Sequence, residues 1–150
     1  MPTITPFLWF DGHLAEALAF YTELFDDAVT EGVSTGPDGG VYMATLSLHG
    51  QRLILLNGGP HYELTPAFSL FVSVEGQDEL DHYWDALCKE GEPSRCGWLV
   101  DKFGLSWQIV PTCLGQLMGD PDRERADRVT HAMLTMEKLD IAALQAEHNA

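Results

Sequence analysis

The side chain with the most informative setting for chemistry is Gln108. It sits in Cys96-Gly97-Trp98-Leu99-Val100-Asp101-Lys102-Phe103-Gly104-Leu105-Ser106-Trp107-Gln108-Ile109-Val110-Pro111, an aromatic-rich and nearly uncharged stretch of an otherwise acidic chain. Asp101 to Gly104 reads as a tight turn and Leu105 to Val110 as a strand. Successive strand residues face opposite ways, so Trp107 and Ile109 share one face while Ser106, Gln108 and Val110 share the other. A carboxamide on such a strand needs partners for its donors and acceptor if it is buried. That pattern suits the floor of a small-molecule pocket, and equally an ordinary strand with a satisfied glutamine.

The other reactive residue types are dispersed. His61 follows Asn57-Gly58-Gly59-Pro60 and precedes Tyr62-Glu63, a loop position where a histidine beside a carboxylate could serve as a general base; simple loop decoration reads as well. The remaining histidines, His13, His49, His82, His131 and His148, read as exposed helix, turn and tail residues. Asp78, Glu79 and Asp81 cluster at a helix start, where they suit the helix dipole. Cys88, Cys96 and Cys113 are odd in number and contain no Cys-x-x-Cys, so neither a disulfide framework nor a structural zinc site is expected. Cys96 is open to a covalent role, but no electropositive neighbour that would make a reactive thiolate is evident. No Ser-His-Asp arrangement is visible by spacing.

The totals exclude several function classes. The chain has 150 residues, enough for one domain with a substantial core. Its 23 acidic and 8 basic residues give a formal charge of −15, which opposes nucleic acids and anionic membrane surfaces. No apolar run approaches the length of a membrane helix, and the N-terminus shows no basic region followed by an apolar signal segment, so a cytoplasmic location is expected.

The positioning elements read as follows. Ile4 to Phe10 is an apolar strand, and Asp11-Gly12 turns into a helix with Asp11 at the N-cap. Leu14, Ala17, Leu18, Tyr21, Leu24 and Phe25 form its apolar stripe. Strands follow at Val29 to Ser34, Val41 to Leu48 and Arg52 to Leu56, divided by Gly36-Pro37-Asp38-Gly39-Gly40 and His49-Gly50. The order then restarts. Phe68 to Val74 is a strand, Gly76 to Asp78 opens a helix with Leu80, Trp84 and Leu87 inward, Gly91 closes it, and extended pieces lead to the Gln108 strand. Gly50 to Leu56 parallels Gly104 to Val110. Two βαβββ modules in tandem, about 1–60 and 66–112, are therefore expected, each too small to bury its sheet alone. In a helical tail, about 113–150, a helix starts at Asp120-Pro121 and a last short helix is capped by Asp140. The Ala126, Val129, Ala132, Met133 and Met136 stripe of the former could pack on the tail's own sheet or help form a dimer.

These residues resemble the PhnB-like group of the vicinal oxygen chelate superfamily, which includes glyoxalase, bleomycin-resistance and fosfomycin-resistance proteins. The resemblance is carried by Thr5 to Gly12, Phe20-Tyr21, Leu56-Asn57-Gly58-Gly59-Pro60, Phe68 to Val72, Trp84 to Leu87, Cys96 to Leu99, Gly104 to Pro111 and Ala132 to Ile141. It implies an α+β fold, paired βαβββ modules whose sheets curl around a cavity, and a homodimer. Such sequences are often labelled 3-demethylubiquinone-9 3-methyltransferase. The label finds no support here, since no Gly-x-Gly-x-Gly follows a strand to hold S-adenosylmethionine.

Metal-using relatives carry His, Gln or Glu ligands on the first and last strand of each module. The corresponding places fall near Ile4, near Ile54, at Phe68 or Ser69, and at Gln108, of which Gln108 alone is a plausible ligand. About three protein donors are wanted for a catalytic divalent ion, so no metal cofactor is expected. The expected activity is binding of, or metal-independent chemistry on, an apolar or aromatic small molecule in the inter-module cavity, lined by Asn57, His61, Ser69, Phe71, Trp98 and Gln108. The alternatives are a metal-dependent lyase or dioxygenase with a displaced ligand set drawing in His61 or Glu63, and a non-catalytic dimer that sequesters a cationic drug.

Overall fold

The computed structural model describes residues 1–150, which fall into two compact units, Met1–Thr65 and Pro66–Ala150. The first unit runs β1 (Phe7–Phe10), α1 (Leu14–Leu24), β2 (Val29–Thr35), β3 (Val41–Leu48) and β4 (Gln51–Asn57). The second runs β5 (Ser69–Val74), α2 (Gln77–Cys88), β6 (Glu92–Pro93), β7 (Trp98–Val100) and β8 (Ser106–Pro111), then α3 (Cys113–Met118), α4 (Arg123–Leu134) and α5 (Ile141–Asn149). The sheet orders are β1-β4-β3-β2 and β5-β8-β7-β6, so each module builds one four-stranded sheet with the same topology. In both, the first strand lies parallel to the last, a pairing that needs a crossover, and α1 or α2 is the first part of it.

The doubled unit also repeats its register. Ile54 pairs with Phe7 in the first sheet, and Gln108, its counterpart in the glycine-led strands, pairs with Phe71 in the second. Each sheet carries its helix on one face. In the first unit Leu8, Phe10, Ala44, Leu46, Leu48, Leu53 and Leu55 are buried with Leu14, Ala17, Leu18, Tyr21 and Phe25 of the helical segment. In the second, Leu99, Trp107 and Ile109 are buried with Leu80, Trp84 and Leu87 of α2. Burying such side chains supplies the main driving force for each sheet–helix layer.

Several local expectations are corrected. The first strand starts at Phe7 rather than Ile4, because Pro6 has no N–H to give the ladder; its carbonyl instead accepts from Ile54 N at 2.9 Å, and Ile4 is fully exposed. Asp11 is not the cap of α1. That place falls to His13, at φ 59°, with no side-chain cap bond. Gly91 does not supply the left-handed residue after α2; Glu90 does, at φ 62°, and Gly91 is needed because a Cβ there would meet Val100 O at 2.4 Å. The tail helix α4 is capped by Asp122, whose side chain accepts from Glu124 N and Arg125 N. Asp140 caps α5 by accepting from Ala143 N, as its place in the sequence implies. The short helix α3 has no periodic signal in the sequence. Within the tail, α4 packs on α5 and α3, burying Val129 and Leu144.

Candidate functional site

Four of the six expected lining residues lie on one face of the second sheet. Trp98 of β7 and Phe71 of β5 flank Gln108 of β8 on a single rung, and Ser69 stands opposite Ser106 two residues along. Strand alternation turns these side chains away from the face that carries α2. The Gln108 carboxamide donates from Nε2 to the Ser69 hydroxyl at 3.1 Å. Phe71 is 58% exposed, an unusual position for a phenylalanine on a regular strand, while Trp98, Ser69 and Gln108 are half-buried. Ser106 is buried, and its hydroxyl has no hydrogen-bond partner.

The face is held from behind by Asp101, which the sequence marks only as the start of a turn. This carboxylate is buried and accepts from Phe103 N at 2.9 Å and Leu105 N at 3.0 Å through Oδ1, and from the Trp107 indole at 2.9 Å through Oδ2. It thereby fixes the β7–β8 turn and the rotamer of the tryptophan beside Gln108. A second support is the segment between α4 and α5. Cys96 N and Gly97 N, next to Trp98, donate to Met136 O and Glu137 O at 2.8 Å each. Leu139 is fully buried beside Gly97, and the Gln77 side chain ties the segment to α2, donating to Leu139 O and accepting from Ile141 N. Lys138 bridges Asp81 and Asp85 at 3.2 and 3.1 Å. Burial opposes its charge, but the Asp85 and Asp81 hydrogen bonds outweigh that and hold its pKa above the usual lysine value. The donated Gln77 amide, followed by Lys138 against the cost of burial, draws the Asp81 pKa down.

The other two expected residues lie in the first unit. Asn57 accepts from Gly12 N at 2.9 Å through Oδ1, so it, and not Asp11, organises the β1–α1 turn. His61 is exposed in the loop after β4. That loop is shaped around Trp9, whose indole donates to Gly59 O at 2.8 Å and meets the Tyr62 ring edge-on at 5.0 Å. A Cβ at Gly58 would lie 2.3 Å from the indole, so only glycine admits the ring there. Of the histidines expected at the surface, His148 departs: its Nε2 lies 2.7 Å from Asp120 Oδ2, with 17% of the side chain exposed. A helix terminus brings the two together from positions far apart in sequence.

Comparison with known proteins now places the chain. A model of the 3-demethylubiquinone-9 3-methyltransferase family matches residues 2–110. The chain belongs to this family. A solved structure described as a putative 3-demethylubiquinone-9 3-methyltransferase, PhnB protein, from Bacillus cereus is 32% identical, with a TM-score of 0.68 over 74% of this chain and 100% of that one. A Pseudomonas aeruginosa protein aligns at 18% identity and TM-score 0.60, covering 74% and 98%. The Listeria monocytogenes fosfomycin resistance protein FosX, solved with Mn(II) and sulfate, aligns at 14% identity and TM-score 0.53, covering 71% and 89%. No curated protein matches the chain. The fold is shared with FosX, and the methyltransferase name is only a family label. No helix is long and apolar enough to cross a membrane.

Manganese in a relative of this fold raises the question of whether these residues fit a divalent ion. The repeat pairs Phe7 with Ile54 and Phe71 with Gln108, so Ile4 and Phe68 stand at equivalent distances before their strands' paired residues. The places that the resemblance implies hold Ile4, Ile54, Phe68 or Ser69, and Gln108, with Ile4 and Phe68 both outside their strands. One amide oxygen falls well short of about three donors, and the set does not fit the ion. No group of three or more His, Cys, Asp or Glu side chains is placed to hold a metal elsewhere.

Proposed function

We propose that this PhnB-like chain binds a small aromatic or apolar metabolite on the Phe71–Trp98–Gln108 face of its second sheet, without a metal ion. It acts as a binding protein or a metal-independent enzyme, as a cytoplasmic homodimer. The observation that carries the reading is the rung itself: two large aromatic side chains on either side of one carboxamide, with Phe71 left 58% exposed. Small-molecule sites are commonly aromatic walls with few, well-placed polar groups. The donor set supports the metal-free form, since three of the four places that the resemblance marks for ligands hold no imidazole, carboxylate or carboxamide.

The test pairs metal analysis of protein purified without chelator with thermal-shift measurements in divalent cations and in aromatic compounds. Expected are no stoichiometric metal, no shift with cations, and a concentration-dependent rise in Tm with aromatic compounds that follows binding linkage. Phe71→Ala and Trp98→Ala should each abolish the aromatic-dependent rise. Stoichiometric metal, or a large cation-dependent shift, would instead establish the metal-dependent lyase or dioxygenase reading.

A further inference from the structure

We propose that Ser69, Ser106 and Gln108 form an uncharged donor cluster that receives the carbonyl oxygen of a neutral, planar aromatic ligand, whose ring lies against Phe71 and Trp98. The proposal rests on the reading of this face as a binding surface and adds the chemical class of the ligand.

Two adjacent rungs supply the whole arrangement. One is Trp98–Gln108–Phe71 and the other is Val100–Ser106–Ser69. None of the six side chains bears a charge, so an anionic group would find no counter-ion there, and the chain's net −15 opposes it further. A cationic group finds no carboxylate on these rungs. A neutral ligand loses little by entering.

Counting hydrogens then sets the polarity. Gln108 gives one Nε2 hydrogen to Ser69 and keeps the second, together with its Oε1 acceptor. The Ser69 hydroxyl accepts that bond and keeps its own hydrogen to give. The Ser106 hydroxyl, on a residue only 1% exposed, has a hydrogen and no acceptor for it. Three hydrogens are unspent, and although Oε1 and both hydroxyl oxygens keep lone pairs, a single acceptor oxygen between the two serines is the group that takes both hydroxyl hydrogens at once. A buried polar group without a partner destabilises the fold, and such a group calls for a physical explanation. A ligand oxygen that takes the Ser69 and Ser106 hydrogens together supplies one, while the Ser69 oxygen still accepts from Gln108. Trp98 and Phe71 stand on strands either side of β8, which sets their Cα atoms roughly 10 Å apart, wide enough for a flat ring between the two side chains.

The experiment uses three matched probes, acetophenone, ethylbenzene and benzoate, with the full chain and its Ser106→Ala and Phe71→Ala variants. Binding is measured by calorimetry and stability by Tm. Acetophenone should bind about tenfold more tightly than either other probe, the worth of a hydrogen bond to an otherwise unpaired buried group. Ser106→Ala should raise the Tm of the free protein, weaken acetophenone by about the same factor, and leave ethylbenzene unchanged. A purely structural serine would not move the ketone-to-hydrocarbon ratio. A lower Tm in Ser106→Ala, which would reveal a bridging water already satisfying the hydroxyl, overturns the proposal. So does equal binding of acetophenone and ethylbenzene; if Phe71→Ala abolishes both, the binding face stands and the donor cluster alone fails. No binding of any probe removes both.

Discussion

The Gln108 carboxamide and the Ser69 hydroxyl meet at 3.1 Å across the parallel pair β5–β8. They are 39 residues apart in sequence and share a face only because the crossover through α2 returns the chain in register. The bond holds the one amide of the face in place, and the stability of that face depends on the buried groups behind it.

Asp101 is the first of these. Replacing it with Ala strands Phe103 N, Leu105 N and the Trp107 indole N–H, all of which now donate to its carboxylate. Each bond to a charged acceptor is worth roughly 1.5–3 kcal/mol, and the losses are not additive, so a destabilisation of about 3–4 kcal/mol is expected. Asp101→Asn should cost less but not vanish, since the Nδ2 group presents hydrogens to a donor. Urea midpoints at constant slope measure both; an Asp101→Ala variant within about 0.5 kcal/mol of the parent would refute the role.

The Trp9 loop gives a contrast between two adjacent glycines. Gly58→Ala places a Cβ 2.3 Å from the Trp9 indole, so the ring must leave and its bond to Gly59 O must break. Overpacking of this kind costs about 1–3 kcal/mol. Gly59→Ala meets no atom within 4 Å but sits at φ 85°, so it carries only the backbone strain, about 1 kcal/mol. Calorimetric melting should rank Gly58→Ala well below Gly59→Ala, and tryptophan fluorescence should shift only in the former. Equal losses would mean that the loop adjusts around the ring.

The architecture was legible in the chain because it is written twice. Gly50 to Leu56 and Gly104 to Val110 parallel one another, and the sheets place Ile54 and Gln108 on equivalent rungs. The alternation of Ser106, Gln108 and Val110 against Trp107 and Ile109 likewise survives folding, since strand periodicity is a local property. What stayed hidden was every role that depends on a distant partner. Asn57 reads as one residue of a turn and becomes the acceptor for Gly12; Gln77 reads as a helix opener and becomes the tie to Leu139 and Ile141. No local pattern distinguishes an amide that decorates a surface from one that joins two segments 45 or more residues apart. The missed cap of α1 has the same origin, because a turn already held by Asn57 needs no help from Asp11.

Cys88 should be the least reactive thiol. Burial first, then the charges of Asp85 and Glu137, push its pKa up to about 11. The thiolate fraction near pH 8 is then about one in a thousand, and the thiolate is the nucleophile. Alkylation with iodoacetamide, followed by mass spectrometry of the Cys88 peptide, should show a rate that climbs roughly tenfold per pH unit between pH 8 and 10. Asp85→Asn should speed it. A rate already level by pH 9 would show an ordinary thiol.

Acid should loosen the C-terminal helix before the sheets. The Asp122 N–H first, and the His148 hydrogen bond next, hold the Asp120 carboxyl below the usual carboxylate range, with Arg125 adding attraction against some desolvation. A depressed pKa in the folded state means that the ionised form is bound more tightly there. That contribution is present in full above the unfolded carboxylate value near 4 and is lost as pH falls below it toward the folded value. The Asp120–His148 contact is one of the ties between the α3–α4 connection and α5; Arg125 Nε and Arg128 Nε add others by donating to His148 O and Glu147 O at 2.9 Å. Hydrogen exchange should therefore show the amides of α5 losing protection on going from pH 5 to pH 3 relative to those of β8, after correction for intrinsic rates. Asp120→Asn should flatten that difference. If the variant keeps the same pH dependence, another carboxylate governs the attachment of α5.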